Sequence, residues 1–214
     1  MKRQAAFIKQ NKMLKGGLHC HTTRSDGEGT PEEVIRLHKK NDYDFLAITD
    51  HKNYNFKNFA EDVDITIIPG MEFDNTFVRE NGFRTFHTVF IGPDDETNGY
   101  SQDEKIPGGK ATNQKEFQKY LDEAHAKNNI TIYCHPQWSS TPTRYFDELE
   151  GNFALEIWNS GCAIENLMDT DNGMYWDELL GMGKKLFAVA TDDGHAMYQH
   201  CNGWVMVNAE NNVK

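Results

Sequence analysis

The 214-residue sequence predicts an α/β fold, and two observations carry that expectation. Short apolar, β-branched runs recur along the chain, and several are separated by stretches with helix start and stop signals. In order, the strand candidates are GGLHCHT, DFLAITDH, ITIIPGMEF, FHTVFIG, ITIYCHP, FALEIWN, LFAVATDD and GWVMVNA. The first helix candidate opens at Thr30, with Pro31 in its first turn and Glu33 three residues on, the spacing of a capping box. A second covers about 113–127, and a third about 175–184, where Gly181 and Gly183 suit a fraying end. Strands this apolar, spaced by helices, suit a parallel sheet buried on both faces. Periodicity alone leaves a linear doubly wound sheet and a closed α/β barrel both open.

Length allows one sizeable core, in one domain or two small ones. Residues 1–14 read as an amino-terminal extension. The polar, glycine-rich stretch 92–113 reads as a long surface excursion beside the site rather than a domain linker.

Composition excludes several partners. The formal net charge is −11, so a nucleic-acid backbone or an anionic membrane would be repelled. A small anionic substrate held by bound cations is compatible with that charge. The basic amino terminus lacks an apolar core segment, and no stretch approaches the roughly 18 apolar residues of a membrane span. A cytoplasmic location with no membrane partner is therefore expected; no oligomeric state follows. Cys20, Cys134, Cys162 and Cys201 lack CxxC spacing, which argues for reduced thiols over a zinc knuckle or disulfide framework.

Histidine placement points to chemistry. His19, His21, His51, His87, His135 and His195 fall at or near strand ends, His87 least tightly because it lies near the start of its run. His19 and His21, two apart on a strand, face the same side, while Cys20 faces away. Asp26 follows in the next loop, Asp50 precedes His51, Glu72 ends a run, and Asp192 and Asp193 end another. Functional groups of α/β folds collect at the carboxyl ends of strands. Imidazole and carboxylate without thiolate suit zinc, manganese or iron. So many donors exceed one tetrahedral ion, and Glu72, with two oxygens, is a natural bridge. Arg24, Lys52 and Arg144 are candidate cations for an anionic substrate, and His200 a candidate proton donor. Trp138 and Trp158 could wall a pocket.

The pieces HCHTTRSDG, AITDH, GMEF, the His of FHTVFIG, YCHPQW, EIWNSG and ATDDGH, in this order over residues 19–195, resemble the PHP (polymerase and histidinol phosphatase) metallohydrolases. The resemblance implies a distorted (β/α)7 barrel, a single domain over 1–214, and up to three metals. It implies a first ion on His19, His21, Glu72 and Asp193. A second would use Glu72, His87 and His135, and a third Asp26, His51 and His195. Asp193-Gly194-His195 matches the family's Asp-x-His, which leaves Asp192 outside the set. HPQWSS, EIWNSG, ATDDGH and GWVMV look most like the carbaryl-hydrolase-type branch.

The chemistry so implied is hydrolysis by a metal-bridging hydroxide, with two or three divalent ions and with Glu72, Asp193 and His195 at its centre. The expected substrate is a small phosphate monoester. The alternatives are a carbamate, ester or amide on the same site, or a non-catalytic metal-binding module. Cys20 and Cys134, turned away from the ligands, are expected to be structural thiols.

Overall fold

The computed structural model describes residues 11–79, 82–168 and 170–209. Its elements run β1 (Lys12–Gly17), α1 (Pro31–Lys40), β2 (Phe45–Ala47), β3 (Thr66–Ile68), β4 (Gly70–Arg79) and β5 (Gly82–Ile91). They continue with α2 (Gln114–Ala126), β6 (Ile130–Tyr133), β7 (Asn152–Asn159), α3 (Ser160–Asn166), α4 (Gly173–Gly181), β8 (Phe187–Thr191) and β9 (Val205–Ala209).

The strands form two sheets, ordered β3-β2-β1-β9 and β4-β5-β6-β7-β8. The mixed α/β class is as expected, but among the described residues no closed barrel forms. Nor is the pairing all parallel: β1/β9, β4/β5 and β5/β6 are antiparallel. Two features of the chain account for this. Pro69 has no amide hydrogen for a ladder, and it splits the single run ITIIPGMEF into β3, which joins one sheet, and β4, which edges the other. The short β4–β5 connection then permits only an antiparallel hairpin. The sheets approach one another through single bridges, Cys20 to Gly194 beyond β1 and β8, and His51 beyond β2 to Glu72 of β4. Those bridges lie where the histidines gather.

The helix signals act as read. Thr30 caps α1: its hydroxyl accepts from the Glu33 amide at 3.3 Å, and its amide donates to the Glu33 carboxylate at 2.9 Å. Such a box contributes about 1 kcal/mol. Asn113 caps α2 the same way, accepting from the Glu116 amide. The third predicted helix is α4, shifted about two residues toward the amino terminus. α3 was not anticipated; Asn159 caps it by accepting from the Cys162 amide at 3.0 Å.

Two boundaries change. β1 begins at Lys12, inside the expected extension, and pairs with β9; residues 1–10 of that extension lie outside the described residues. Residues 92–113 contain neither helix nor strand, yet they are not purely surface. Tyr100 and Ala111 are buried, and Asn75 brackets Ala111 by donating to its carbonyl at 2.9 Å and accepting from its amide at 2.7 Å.

Alternation along β4 connects core to site. Met71 and Phe73 enter an aromatic core with Phe86, Phe90, Phe117 and Tyr133, while Glu72 turns to the opposite face. Each such buried ring contributes about 1.5–3 kcal/mol. A separate apolar cluster, with Val34, Ile35, Leu46 and Ile48, packs α1 against β2. Among the described residues, no helix is long and apolar enough to cross a membrane.

Candidate metal centre

His19 and His21 follow β1 in extended backbone, joined to the segment after β8 by the Cys20–Gly194 bridge. The amide of His21 donates to the Gly194 carbonyl and that of Asp193 to the His19 carbonyl, both at 3.0 Å. His51 follows β2, Glu72 sits on β4, and His135 follows β6. His87 looked out of place because it lies early in its strand. Since β5 runs antiparallel to β4, that early part lies beside the site, with Val89 opposite Glu72 and His87 diagonal to it. His135 and Asp193 both have positive φ, 28° and 48°, which costs non-glycine residues about 1–3 kcal/mol each. Gly161 allows the start of α3 to lie against this turn, since a Cβ there would be 2.5 Å from the Asp193 carbonyl oxygen.

The geometry of four buried atoms stands out. His19 Nε2 lies 3.3 Å from His21 Nε2, 3.4 Å from Glu72 Oε2 and 3.3 Å from Asp193 Oδ1. His21 Nε2 lies 3.2 Å from Glu72 Oε2 and 3.0 Å from Asp193 Oδ1. An ion with tetrahedral bonds of about 2.0–2.1 Å sets neighbouring ligand atoms about 3.3–3.4 Å apart. Among the described residues, Asp193 Oδ1 is buried without a hydrogen-bond partner, as is His51 Nδ1. These orphaned atoms and spacings fit a divalent ion. The other oxygen, Glu72 Oε1, lies 2.9 Å from His87 Nδ1 and 3.3 Å from His135 Nε2. Asp26 Oδ1 and Oδ2 face His195 Nε2 at 3.5 Å and His51 Nε2 at 3.7 Å. Thus all nine residues of the three implied sets converge, with Glu72 central.

Burial alone would drive these groups toward their neutral forms, but their partners outweigh it. Burial lowers His21, yet the Asp193 and Glu72 carboxylates raise it to about 10. Against the same penalty, Glu72 raises His135 to about 9, and Asp193 raises His19 well above the usual imidazole range. Burial opposes ionisation of Glu72 and Asp193, but the surrounding histidines hold both well below the usual carboxylate range. Burial dominates at His51, which is lowered. In Cys20 and Cys134 burial pushes the thiol well up, in keeping with structural roles.

The PHP domain family model matches residues 17–163, which is most of the chain. The chain belongs to the PHP domain family. Among solved structures it is similar to a two-domain Bacteroides vulgatus protein containing a predicted PHP-like metal-dependent phosphoesterase. That match has 17% identity and a TM-score of 0.61, covering 99% of this chain and 64% of that one. This chain thus spans a little under two thirds of that protein's length. A Chromobacterium violaceum amidohydrolase with bound sulfate matches at 15% identity and TM-score 0.58, covering 91% of each chain. An inferred metal-dependent phosphoesterase from Bifidobacterium adolescentis matches at 14% identity and TM-score 0.57, covering 92% of each. No curated protein matches the sequence.

Within this PHP domain the candidate substrate-binding residues stand apart from the cavity. The cavity, about 280 Å³, is walled by residues of the candidate ligand set together with Trp138, Cys162, Glu165, Asn166 and Gln199, and among the described residues no lysine or arginine lines it. Arg24 is engaged by Asn55 and Asn53, at 2.8 and 3.2 Å, and by Asp103. Lys52 pairs with Asp74 at 3.2 Å, and the Arg144 guanidinium stacks on Tyr145. His200, the candidate proton donor, is buried, and burial, with His38 beside it, lowers it to about 4. Trp158 does not line the cavity; its indole donates to Ser160.

Two residues of EIWNSG were missed as site residues. Fully buried Glu156 accepts from His19 Nδ1 at 2.7 Å, from the Thr191 hydroxyl at 2.7 Å and from the His135 amide at 3.0 Å. Asn159 donates to Glu156 at 3.1 Å and to Asp193 at 3.0 Å. A buried carboxylate inside an apolar strand was the available signal, since an unpaired charge there would be costly. The Asp192 carboxylate faces away from this arrangement and accepts from the amides of Cys201, Asn202 and Gly203.

Proposed function

We propose that this PHP domain is a metal-dependent hydrolase that cleaves small phosphate monoesters. One observation carries the reading: the Nε2 atoms of His19 and His21 lie 3.3 Å apart and each is 3.0–3.4 Å from a Glu72 and an Asp193 carboxylate oxygen, the latter unpartnered among the described residues. His19, His21, Glu72 and Asp193 would hold one ion; Glu72, His87 and His135 a second; Asp26, His51 and His195 a third. Zinc, manganese or iron suits that donor set. Such ions acidify bound water and polarise a phosphoryl oxygen.

The chain's own residues supply position. Glu72 presents one oxygen to each of two neighbouring histidine groups, and Glu156 keeps the proton of His19 on Nδ1, leaving Nε2 free toward the centre. Trp138, beside His87 and His135, forms one wall of the cavity. The cavity admits a small molecule rather than a polymer, and the acidic chain does not attract nucleic acid. Two similar structures are described as phosphoesterases, which favours the phosphate ester. The amidohydrolase with bound sulfate is similar as well.

A carbamate, ester or amide substrate is the second reading, favoured by the absence of lysine and arginine from the cavity lining among the described residues. The test is kcat/KM of metal-loaded protein on aryl phosphates, phosphodiesters, aryl carbamates and aryl esters. Phosphate monoesters should rank first; a wide lead for carbamates or esters overturns the assignment in favour of the second reading.

A further inference from the structure

Behind the Asp193–His195 turn lies a second buried group of ligand-type side chains that the nine-residue centre does not use. His38 comes from α1, and Asp192 and His200 from the segment after β8. The His200 ring packs on Gly194, so closely that a Cβ there would be 2.6 Å from Nδ1. We propose that His38, Asp192 and His200 form a separate zinc site that ties α1 to the loop carrying Asp193 and His195.

The first argument is proton placement. His38 Nδ1 donates to the Val34 carbonyl of its own helix at 2.8 Å, which leaves Nε2 facing inward. A ligating histidine characteristically donates its other N–H to a backbone carbonyl in this way. Among the described residues, His38 Nε2 has no hydrogen-bond partner, and neither ring nitrogen of His200 has one, although both residues are buried. Three unpartnered nitrogens in one closed spot are unusual, because buried polar atoms are nearly always satisfied.

The second argument is spacing. His38 Nε2 stands 3.5 Å from Asp192 Oδ2, beyond a good hydrogen bond but near the edge of a tetrahedron around an ion with bonds of about 2.0–2.2 Å. One donor atom from each of the three side chains lies within 4.8 Å of the other two. Two imidazoles and a carboxylate are a zinc-type donor set. The three backbone amides donating to Asp192, from Cys201, Asn202 and Gly203 at 2.6–2.7 Å, hold the carboxylate in place as an outer shell would.

The test is anomalous scattering at the zinc edge from crystals of the full chain grown with zinc chloride. The proposal expects a peak bounded by His38, Asp192 and His200 and distinct from those of the main centre. Density without anomalous signal there, while the main centre scatters, means a water molecule fills the spot and overturns it. In solution, His38→Gln and His200→Gln should each lower bound zinc by one ion per chain. A folded variant with unchanged zinc content contradicts the site, and the crystal result stands whether or not the variants fold.

Discussion

Metal loading of this PHP domain should expel protons, and the number can be worked from the structure. Without bound metal, His21 titrates at about 10 and His135 at about 9, and His19 is raised well above 6.5, against the facing carboxylates of Glu72, Asp193 and Glu156. At pH 7.5 His21 and His135 therefore each carry an extra proton. Coordination requires the neutral ring, so full loading should release about two protons per chain at that pH, one each from His21 and His135. His51, lowered by burial, adds none. Release should shrink as the pH rises through about 9 to 10, and metal affinity should climb over the same range. The raised imidazoles have a second consequence for the metal-free fold. Their stabilisation is fully present below the unfolded value of 6.5 and is lost as the pH rises through about 9 to 10. The assay is calorimetric titration of chelator-stripped protein with zinc at pH 7.5 in buffers of different ionisation enthalpy, whose slope counts protons. A slope below about one proton per chain at full uptake would refute the charge assignment.

Two substitutions probe the arrangement. Glu72→Gln removes the charge that faces both histidine groups, so metal content should fall and kcat/KM should drop about 100-fold or more; unchanged metal content would show that Glu72 bridges nothing. Glu156→Gln, acting through His19 and the His135 amide, should weaken metal affinity about 10–100-fold, as measured by competition with a chelator. Wild-type affinity in that variant would reduce Glu156 to a packing role.

Much of the candidate site could be read in the sequence because polar residues at the ends of apolar runs have few structural uses. The i, i+2 pairing of His19 and His21 and the carboxylates after strands needed no long-range information. What escaped the sequence depended on pairing between distant segments. His87 fits only because β5 turns back along β4, and nothing in its own run states that direction. The split at Pro69 was visible as a residue, but which sheet each half joins is set by tertiary contacts. Glu156 was hidden because its partners, His19 and Thr191, are 137 and 35 positions away. The cationic residues fared worst. Arg24 and Lys52 follow candidate ligands in sequence, yet Asp103 and Asp74 already hold them. Short segments such as α3 also escaped, since seven residues carry little periodicity.

The central claim is that the converged histidines and carboxylates bind the ions that make this domain a hydrolase. It is tested most directly by stripping the protein with a chelator and following turnover of an aryl phosphate while zinc, manganese or iron is added back. The account predicts no turnover in the stripped protein and recovery that saturates at two to three equivalents per chain. Full turnover in protein shown by elemental analysis to hold less than one ion per chain would contradict it.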